Sequence, residues 1–213
     1  MEITQMKVAI IGTGNMATGL AQALSEAKIN LVIGSRDPAK AAELAAKTGA
    51  NIEGGGIAAA VKLADVIILA LPFGGVADSL QQAGDLTNKI LVDISNPISA
   101  DYKTLVIGHT TSAAEEIQAL APNATVVKAF NTIFAPLLPQ SARLSKTLQV
   151  FIASDDEDAK TKVTQLTKAL GFDAVDAGAL SNSRFIEPIG EMNIHFGFFL
   201  GKGTGIAPAW VTL

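Results

Sequence analysis

The sequence predicts an α/β fold, a doubly wound and mostly parallel sheet flanked by helices, and three observations lead there. Short runs rich in Val, Ile and Leu recur along the chain, separated by Ala-rich helical segments, which is the alternation of strand, crossover helix and strand. Those runs are apolar throughout rather than alternating, as strands covered on both faces should be. Apolar residues make up 49% of the 213 residues and charged ones 17%, enough for a substantial core and too apolar for a disordered chain. The length fits one domain, 1–213, with a helical and then coil-like tail over about 180–213.

The elements follow in order. Val8 to Ile11 reads as the first strand; the apolar stretch ending at Gly12 is too short for a signal-peptide core. Asn15 to Ala27 is a helix and Leu31 to Ile33 a second strand. Asp37-Pro38 marks the N-cap and first position of the next helix, Ala39 to Lys47. Ala50 to Glu53 reads as a third short strand, with Gly54-Gly55-Gly56 as the turn after it. Val66 to Leu71, Ile90 to Val92, Thr125 to Val127 and Gln149 to Ala153 are the remaining strands. Ser112 with Glu115 reads as a capping box opening the helix to Ala121, and Asp156 to Leu170 is rich in strong helix formers. Phe134 to Gln140 is expected to be an irregular connection, and the tail to be helical to about Leu200.

Composition removes several function classes. A net charge of −4 without a run of like charges gives no nucleic-acid footprint. Val66 to Ala77, the longest charge-free apolar stretch of the interior, is interrupted by Pro72, Gly74 and Gly75 and falls short of the ~20 residues of a membrane span. The absence of Cys excludes disulfides and a thiol nucleophile and fits a cytoplasmic protein. With two His and no Cys, a catalytic zinc site is not expected, and no metal is assigned.

Gly12-Thr13-Gly14-Asn15-Met16-Ala17 leaves a strand and opens a helix, the context a dinucleotide-binding turn requires. Gly12 permits the tight turn, Gly14 lets backbone approach a pyrophosphate, and the small Ala17 lets helix and strand pack closely. The helix's free N–H groups and dipole would hold the anion. This is the Rossmann arrangement. At the end of the second strand, near the ~20-residue offset where an acidic residue binds the ribose 2′-hydroxyl of NAD, this chain has Ser35-Arg36. A guanidinium fork with a neighbouring hydroxyl suits a 2′-phosphate, so NADP(H) is favoured; Asp37 is better explained as a helix cap.

Ligands of such sheets lie across the carboxyl ends of the strands. The loops Leu71-Pro72-Phe73-Gly74, Ser95-Asn96-Pro97 and Ala129-Phe130-Asn131-Thr132 should therefore surround the nicotinamide, with Phe73 and Phe130 packing on rings or in the core and Asn96, Asn131 and Thr132 orienting the carboxamide. Protein acids and bases are scarce. Tyr102 is the only Tyr and position 106 is Val106, so the Tyr-x-x-x-Lys pair of short-chain dehydrogenases is absent. His109 reads as solvated, and His195 as packed or partner-facing more readily than catalytic. No catalytic residue is assigned: hydride transfer between a nicotinamide and a flavin-like ring needs orientation and a dry site, the cofactors supplying the electronics.

GTGNMATGLAQAL, GSRDPAKA, LPF, DISNP, KAFNT, QVFIASDD and DAGALSNSR, in this order from about Lys7 to Glu187, resemble the NADPH-dependent deazaflavin (coenzyme F420) oxidoreductases and the cytosolic domain of the six-transmembrane ferric reductases. The resemblance implies an NADP-binding domain, a small-molecule hydride acceptor stacked on the nicotinamide, and commonly a homodimer. By position it implies Thr13, Asn15 and Met16 at the pyrophosphate turn, Ser35 and Arg36 at the 2′-phosphate, and Pro72, Phe73, Asn96, Pro97, Phe130 and Asn131 at the nicotinamide. The tail after Arg184 departs from the archaeal enzymes, and Arg184 and Glu187, three apart, are expected to pair on one helix face. Two alternatives stay open: an NADPH-binding sensor or partner module without turnover, and an imine or ketone reductase using His195 or Tyr102 as proton donor.

Overall fold

The computed structural model describes residues 6–144 and 146–211. Strands β1 (Lys7–Ile11), β2 (Asn30–Ser35), β3 (Glu53–Gly56), β4 (Val66–Leu69), β5 (Ile90–Asp93) and β6 (Thr125–Lys128) form one parallel sheet in the order β3-β2-β1-β4-β5-β6. The order reverses between β1 and β4, and the crevice at that switch point is where ligands of open α/β sheets bind. The period of two along β1 feeds two cores: Val8 and Ile10 point to the layer under helices α1 (Asn15–Glu26) and α2 (Pro38–Thr48), Ala9 and Ile11 to the layer under α3 (Ile57–Leu63), α4 (Val76–Gln82) and α5 (Ala113–Leu120).

Two expectations shift here. Gly54-Gly55-Gly56 is an extended edge strand rather than a turn, pairing with β2 from Val32 opposite Glu53 to Ser35 opposite Gly56. The reason is close approach: a Cβ on Gly54 would lie 2.2 Å from the Ala41 carbonyl oxygen, so α2 rests directly on the strand's backbone. The fourth strand ends at Leu69, ahead of the bend at Pro72. The short helices α3 and α4 and the strand β8 (Asp173–Asp176) carry too few residues for a period to show.

Beyond β6 the chain makes short 3₁₀ turns at Ala135–Leu137 and Gln140–Arg143, then β7 (Gln149–Ile152), α6 (Glu157–Ala169) and β8, the two strands forming a separate parallel pair. One antiparallel bridge, Lys128 to Ala153, joins this pair to β6. Helix α7 (Ser183–Ile194) continues as a π-helix over His195–Phe199 and then irregular chain, whose Trp210 bonds the Gln149 side chain through both its N–H (2.6 Å) and its carbonyl (3.1 Å). The expected caps are present: Asp37 accepts from the Ala39 and Lys40 amides, and Ser112 from the Glu115 amide. Among the described residues no helix is long and apolar enough to cross a membrane.

Candidate active site

The turn between β1 and α1 is built for an anion. Gly12 donates its N–H to the Gly34 carbonyl (2.9 Å) at φ 131°, and a Cβ there would sit 2.3 Å from the Ala70 carbonyl oxygen, so only glycine fits. Gly14 is the N-cap of α1; it is exposed, supplies no capping side chain, and nothing lies within 4 Å of where its Cβ would be. No acidic residue occupies the first turn, so the free amides and the positive end of the helix face outward. Asn15 is exposed, Thr13 and Met16 are half-buried, and Ala17 is buried against the sheet.

At the end of β2 the Asp37 carboxylate is engaged as the cap of α2, and its amide receives a contact from Ser35, whose Oγ accepts it at 3.2 Å. Arg36 next to them is exposed. The arrangement leaves a guanidinium and a hydroxyl, with no free carboxylate, where a ribose phosphate would lie.

The carboxyl ends of β4, β5 and β6 enclose a cavity of about 730 Å³ together with the first turn of α1 and the inner face of α7. Of the residues expected at the cofactor, Gly14, Asn15, Met16, Leu71, Pro72, Phe73, Asn96 and Asn131 line it. Two lie elsewhere. Pro97 is buried behind the wall, its carbonyl accepting from Val106 N–H (2.7 Å). The Phe130 ring points into the core, edge-on to Phe172 at 5.8 Å, with its backbone at φ 58°, so it stacks on protein rather than on a ligand.

Asn96 and Asn131 hold each other. Asn96 Nδ2 donates to the Asn131 carbonyl (2.9 Å) while Asn131 Nδ2 donates to Asn96 Oδ1 (2.8 Å) and to the Ile186 carbonyl (3.2 Å). Gly190 of α7 packs on this pair, where a Cβ would lie 2.4 Å from Asn96 Oδ1. Three buried polar atoms of the lining have no partner among the described residues: Ser95 Oγ, Asn131 Oδ1 and Thr132 Oγ1. Buried polar groups are ordinarily paired, so these neutral groups are left for a ligand's amide and hydroxyls. Arg36 after β2, the bare helix N-terminus after β1 and these orphaned atoms after β5 and β6 follow the strand order along the crevice, the succession of 2′-phosphate, pyrophosphate and carboxamide; the residues fit a nicotinamide dinucleotide.

Behind the cavity lies a charged cluster that sequence reasoning missed. Lys128 Nζ, fully buried, donates to Asp93 Oδ2 (2.7 Å), Glu187 Oε1 (2.8 Å) and the Ser95 carbonyl (2.6 Å). Glu187 also accepts from the Ala113 and Ala114 amides at the start of α5 (3.0 and 3.3 Å), and Asp93 Oδ1 from the Ser95 amide (2.9 Å). The expected Arg184–Glu187 pair is therefore replaced: Glu187 turns inward, and Arg184 forks onto the Glu115 carboxylate, 2.9 Å from Nε to Oε2. On a helix whose one face is buried, the residue three positions on from an outward Arg need not share its face. Burial raises the Glu187 pKa against the pull of Lys128, whereas the Arg184 hydrogen bond lowers that of Glu115. A Lys and an Asp closing otherwise apolar strands were the available signal, since charges there are buried and must be partnered.

His195 does not line the cavity; its Nε2 lies 3.2 Å from Glu191 Oε1 and its ring 4.9 Å from that of Phe199. His109 is exposed. Among the described residues no cluster of His, Cys, Asp and Glu could hold a metal ion.

Residues 7–97 match the family model described as NADP oxidoreductase, coenzyme F420-dependent. The F420-dependent NADP reductase of Methanocaldococcus jannaschii is 33% identical over 218 residues, covering 94% of this chain and 97% of that protein. The chain belongs to the F420-dependent NADP reductase family. It is thus an NADP-dependent oxidoreductase with a Rossmann fold. The crystal structure of a proposed F420-dependent NADP reductase from Arthrobacter sp. FB24 superposes with a TM-score of 0.84 at 30% identity, covering 93% of this chain and 96% of that one. The rat metalloreductase STEAP3 is 36% identical over 186 residues, 86% of this chain; this chain spans 36% of that protein's length.

Proposed function

We propose that the protein passes a hydride between NADPH and a flavin or deazaflavin ring in the 730 Å³ cavity. The observation that carries this reading is the continuity of the bare α1 N-terminus with a cavity whose described lining contains no His, Lys, Arg, Asp or Glu. A carbonyl or imine acceptor calls for a positioned proton donor; a flavin-like ring does not. NADPH supplies the hydride from its nicotinamide ring, and the reduced acceptor takes its balancing proton from water. The residues bind and orient: the Gly12–Ala17 turn receives the pyrophosphate, Ser35 and Arg36 the 2′-phosphate, and Ser95, Asn131 and Thr132 the carboxamide, with Pro72 and Phe73 against the ring. Of the two proton donors of the imine-reductase alternative, His195 stands outside the cavity and Tyr102 lies at its mouth, more than half exposed to water rather than held over the nicotinamide side. The exposed apolar side chains Phe185, Met192, Phe198 and Leu200 on α7 and its extension support a homodimer, and the Cys-free composition supports a cytoplasmic location.

The test is a titration with NADPH and NADH, followed by nicotinamide absorbance after adding FMN, riboflavin and coenzyme F420 in turn. NADPH should bind selectively and be oxidised by at least one ring. Selective binding without oxidation by any would turn the reading to a sensor.

A further inference from the structure

Ser95 carries one of the orphaned hydroxyls of the cavity, and its place is set from behind by charge. Asp93 ends β5 and Lys128 ends β6, opposite each other in the sheet, with both side chains closed to solvent. An ammonium has three donors and no acceptor, and all three of Lys128 are engaged: with Asp93 Oδ2 (2.7 Å), Glu187 Oε1 (2.8 Å) and the Ser95 carbonyl (2.6 Å). The other Asp93 oxygen, Oδ1, accepts from the Ser95 amide at 2.9 Å. One ion pair thus holds the peptide groups on both sides of the Ser95 Cα, while Ser95 Oγ, on the cavity side, has no partner among the described residues.

Stability alone does not account for such a cluster. Charges taken out of water are compensated only by one another, and apolar side chains of similar volume often leave a fold as stable or more so. Apolar side chains cannot orient a neighbour's backbone through hydrogen bonds, whereas a fully satisfied polar network in a low dielectric is stiff. Neither Asp93 nor Lys128 lines the cavity, so whatever they do for a ligand passes through Ser95. Glu187 takes the third Lys128 donor and ties the pair to the Ala113 and Ala114 amides of α5.

We propose that Lys128 and Asp93 are positioning residues for hydride transfer: they fix the direction in which Ser95 offers its hydroxyl to the nicotinamide carboxamide, and through it the attitude of the ring to its acceptor. The proposal rests on the hydride-transfer reading, which puts the carboxamide at Ser95, Asn131 and Thr132. Placement of the reacting ring is worth much in rate, since an error of about 1 Å can cost about 10²-fold.

Asp93→Asn tests it, because a carboxamide has one acceptor oxygen where the carboxylate has two and cannot serve both Lys128 and the Ser95 amide. Calorimetry compares NADP⁺ with 2′-phospho-ADP-ribose, the same nucleotide without its nicotinamide, and steady-state kinetics follow NADPH with FMN, riboflavin and coenzyme F420. Wild type should bind NADP⁺ about tenfold more tightly than the fragment, the worth of one or two hydrogen bonds. In Asp93→Asn that preference should shrink to about twofold or less with the fragment's Kd unchanged, and kcat should fall about 10²-fold, well beyond any rise in KM. Glu187→Gln, which changes the charge of the same cluster and spares both bonds to Ser95, should keep the preference. If Asp93→Asn does not fold, the triple variant Lys128→Met, Asp93→Asn, Glu187→Gln, in which no charge is stranded, is read in the same way. NADP⁺ and the fragment weakening together, or an unchanged preference, overturns the proposal and leaves hydride transfer standing. A wild type that oxidises NADPH with none of the rings overturns the hydride-transfer reading, and the affinity ratio then decides the positioning role by itself.

Discussion

The turn after β1 and the wall made by β5, β6 and α7 border the same crevice and are constructed in opposite ways. The turn is local: its glycines, the bare N-cap and the Ser35-Arg36 pair sit within one βαβ unit, are exposed or half-exposed apart from the buried Gly12, and depend on few distant residues. The wall is assembled from afar. Asn96 meets Asn131 and both meet α7, while Lys128 binds residues 35 and 59 positions away in a site closed to solvent. A surface built locally can lose one contact and keep its shape. A buried cluster with two carboxylates on one ammonium cannot, because each charge was removed from water in exchange for the others.

Three changes sharpen or break that contrast. Lys128→Ala should have the largest effect, about 3–5 kcal/mol of stability, because it strands two buried carboxylates; urea denaturation reads it. Adding Asp93→Asn and Glu187→Gln to Lys128→Met should recover much of that loss, and a triple variant as unstable as the single would mean that packing, not stranded charge, dominates. Arg36→Ala should weaken NADPH binding by about 1.5–3 kcal/mol through the lost charge-assisted fork while leaving NADH binding and the melting temperature nearly unchanged. Equal weakening for both nucleotides in a titration would make Arg36 structural and erase the distinction between the two sides.

The smallest effect concerns pH. Burial raises the Glu187 pKa above its unfolded value, so the folded state binds the proton more tightly. Over the window from the ordinary carboxylate pKa up to the folded one, stability from this group therefore rises as pH falls. Glu115, lowered chiefly by its hydrogen bond from Arg184, works the other way, losing its contribution as pH drops through its folded pKa. Denaturation at pH 7 and pH 5 should show wild type gaining relative to Glu187→Gln, and only below the ordinary carboxylate pKa, as between pH 5 and pH 3, should it lose relative to Glu115→Gln. The reverse sign at Glu187 would mean that Lys128 outweighs desolvation.

The same contrast explains what was legible in the sequence. The strand pattern, the Gly12–Ala17 turn and the Asp37 and Ser112 caps are short-range features, each specified within a few residues, and they read correctly. Gly54-Gly55-Gly56 misled because its extended form depends on α2 lying against it, a contact between elements that no window contains. Phe130 appeared in the right loop, but its left-handed backbone swings the ring into the core and leaves Asn131 to face the cavity. Glu187 was visible as a charge near Arg184, and only the placement of α7 over β5 and β6 turns it to Lys128.

Because Gly14 offers no side chain, helix α1 begins with an end that no side chain among the described residues caps. Its first amides are free to exchange their hydrogens with solvent, and that turn frays most easily. A phosphate seated there would finish the helix as a capping side chain does elsewhere, so nucleotide affinity and the order of the first turn of α1 form one equilibrium. Whatever stiffens that turn raises affinity, and the dinucleotide in turn acts as the last piece of secondary structure the fold acquires.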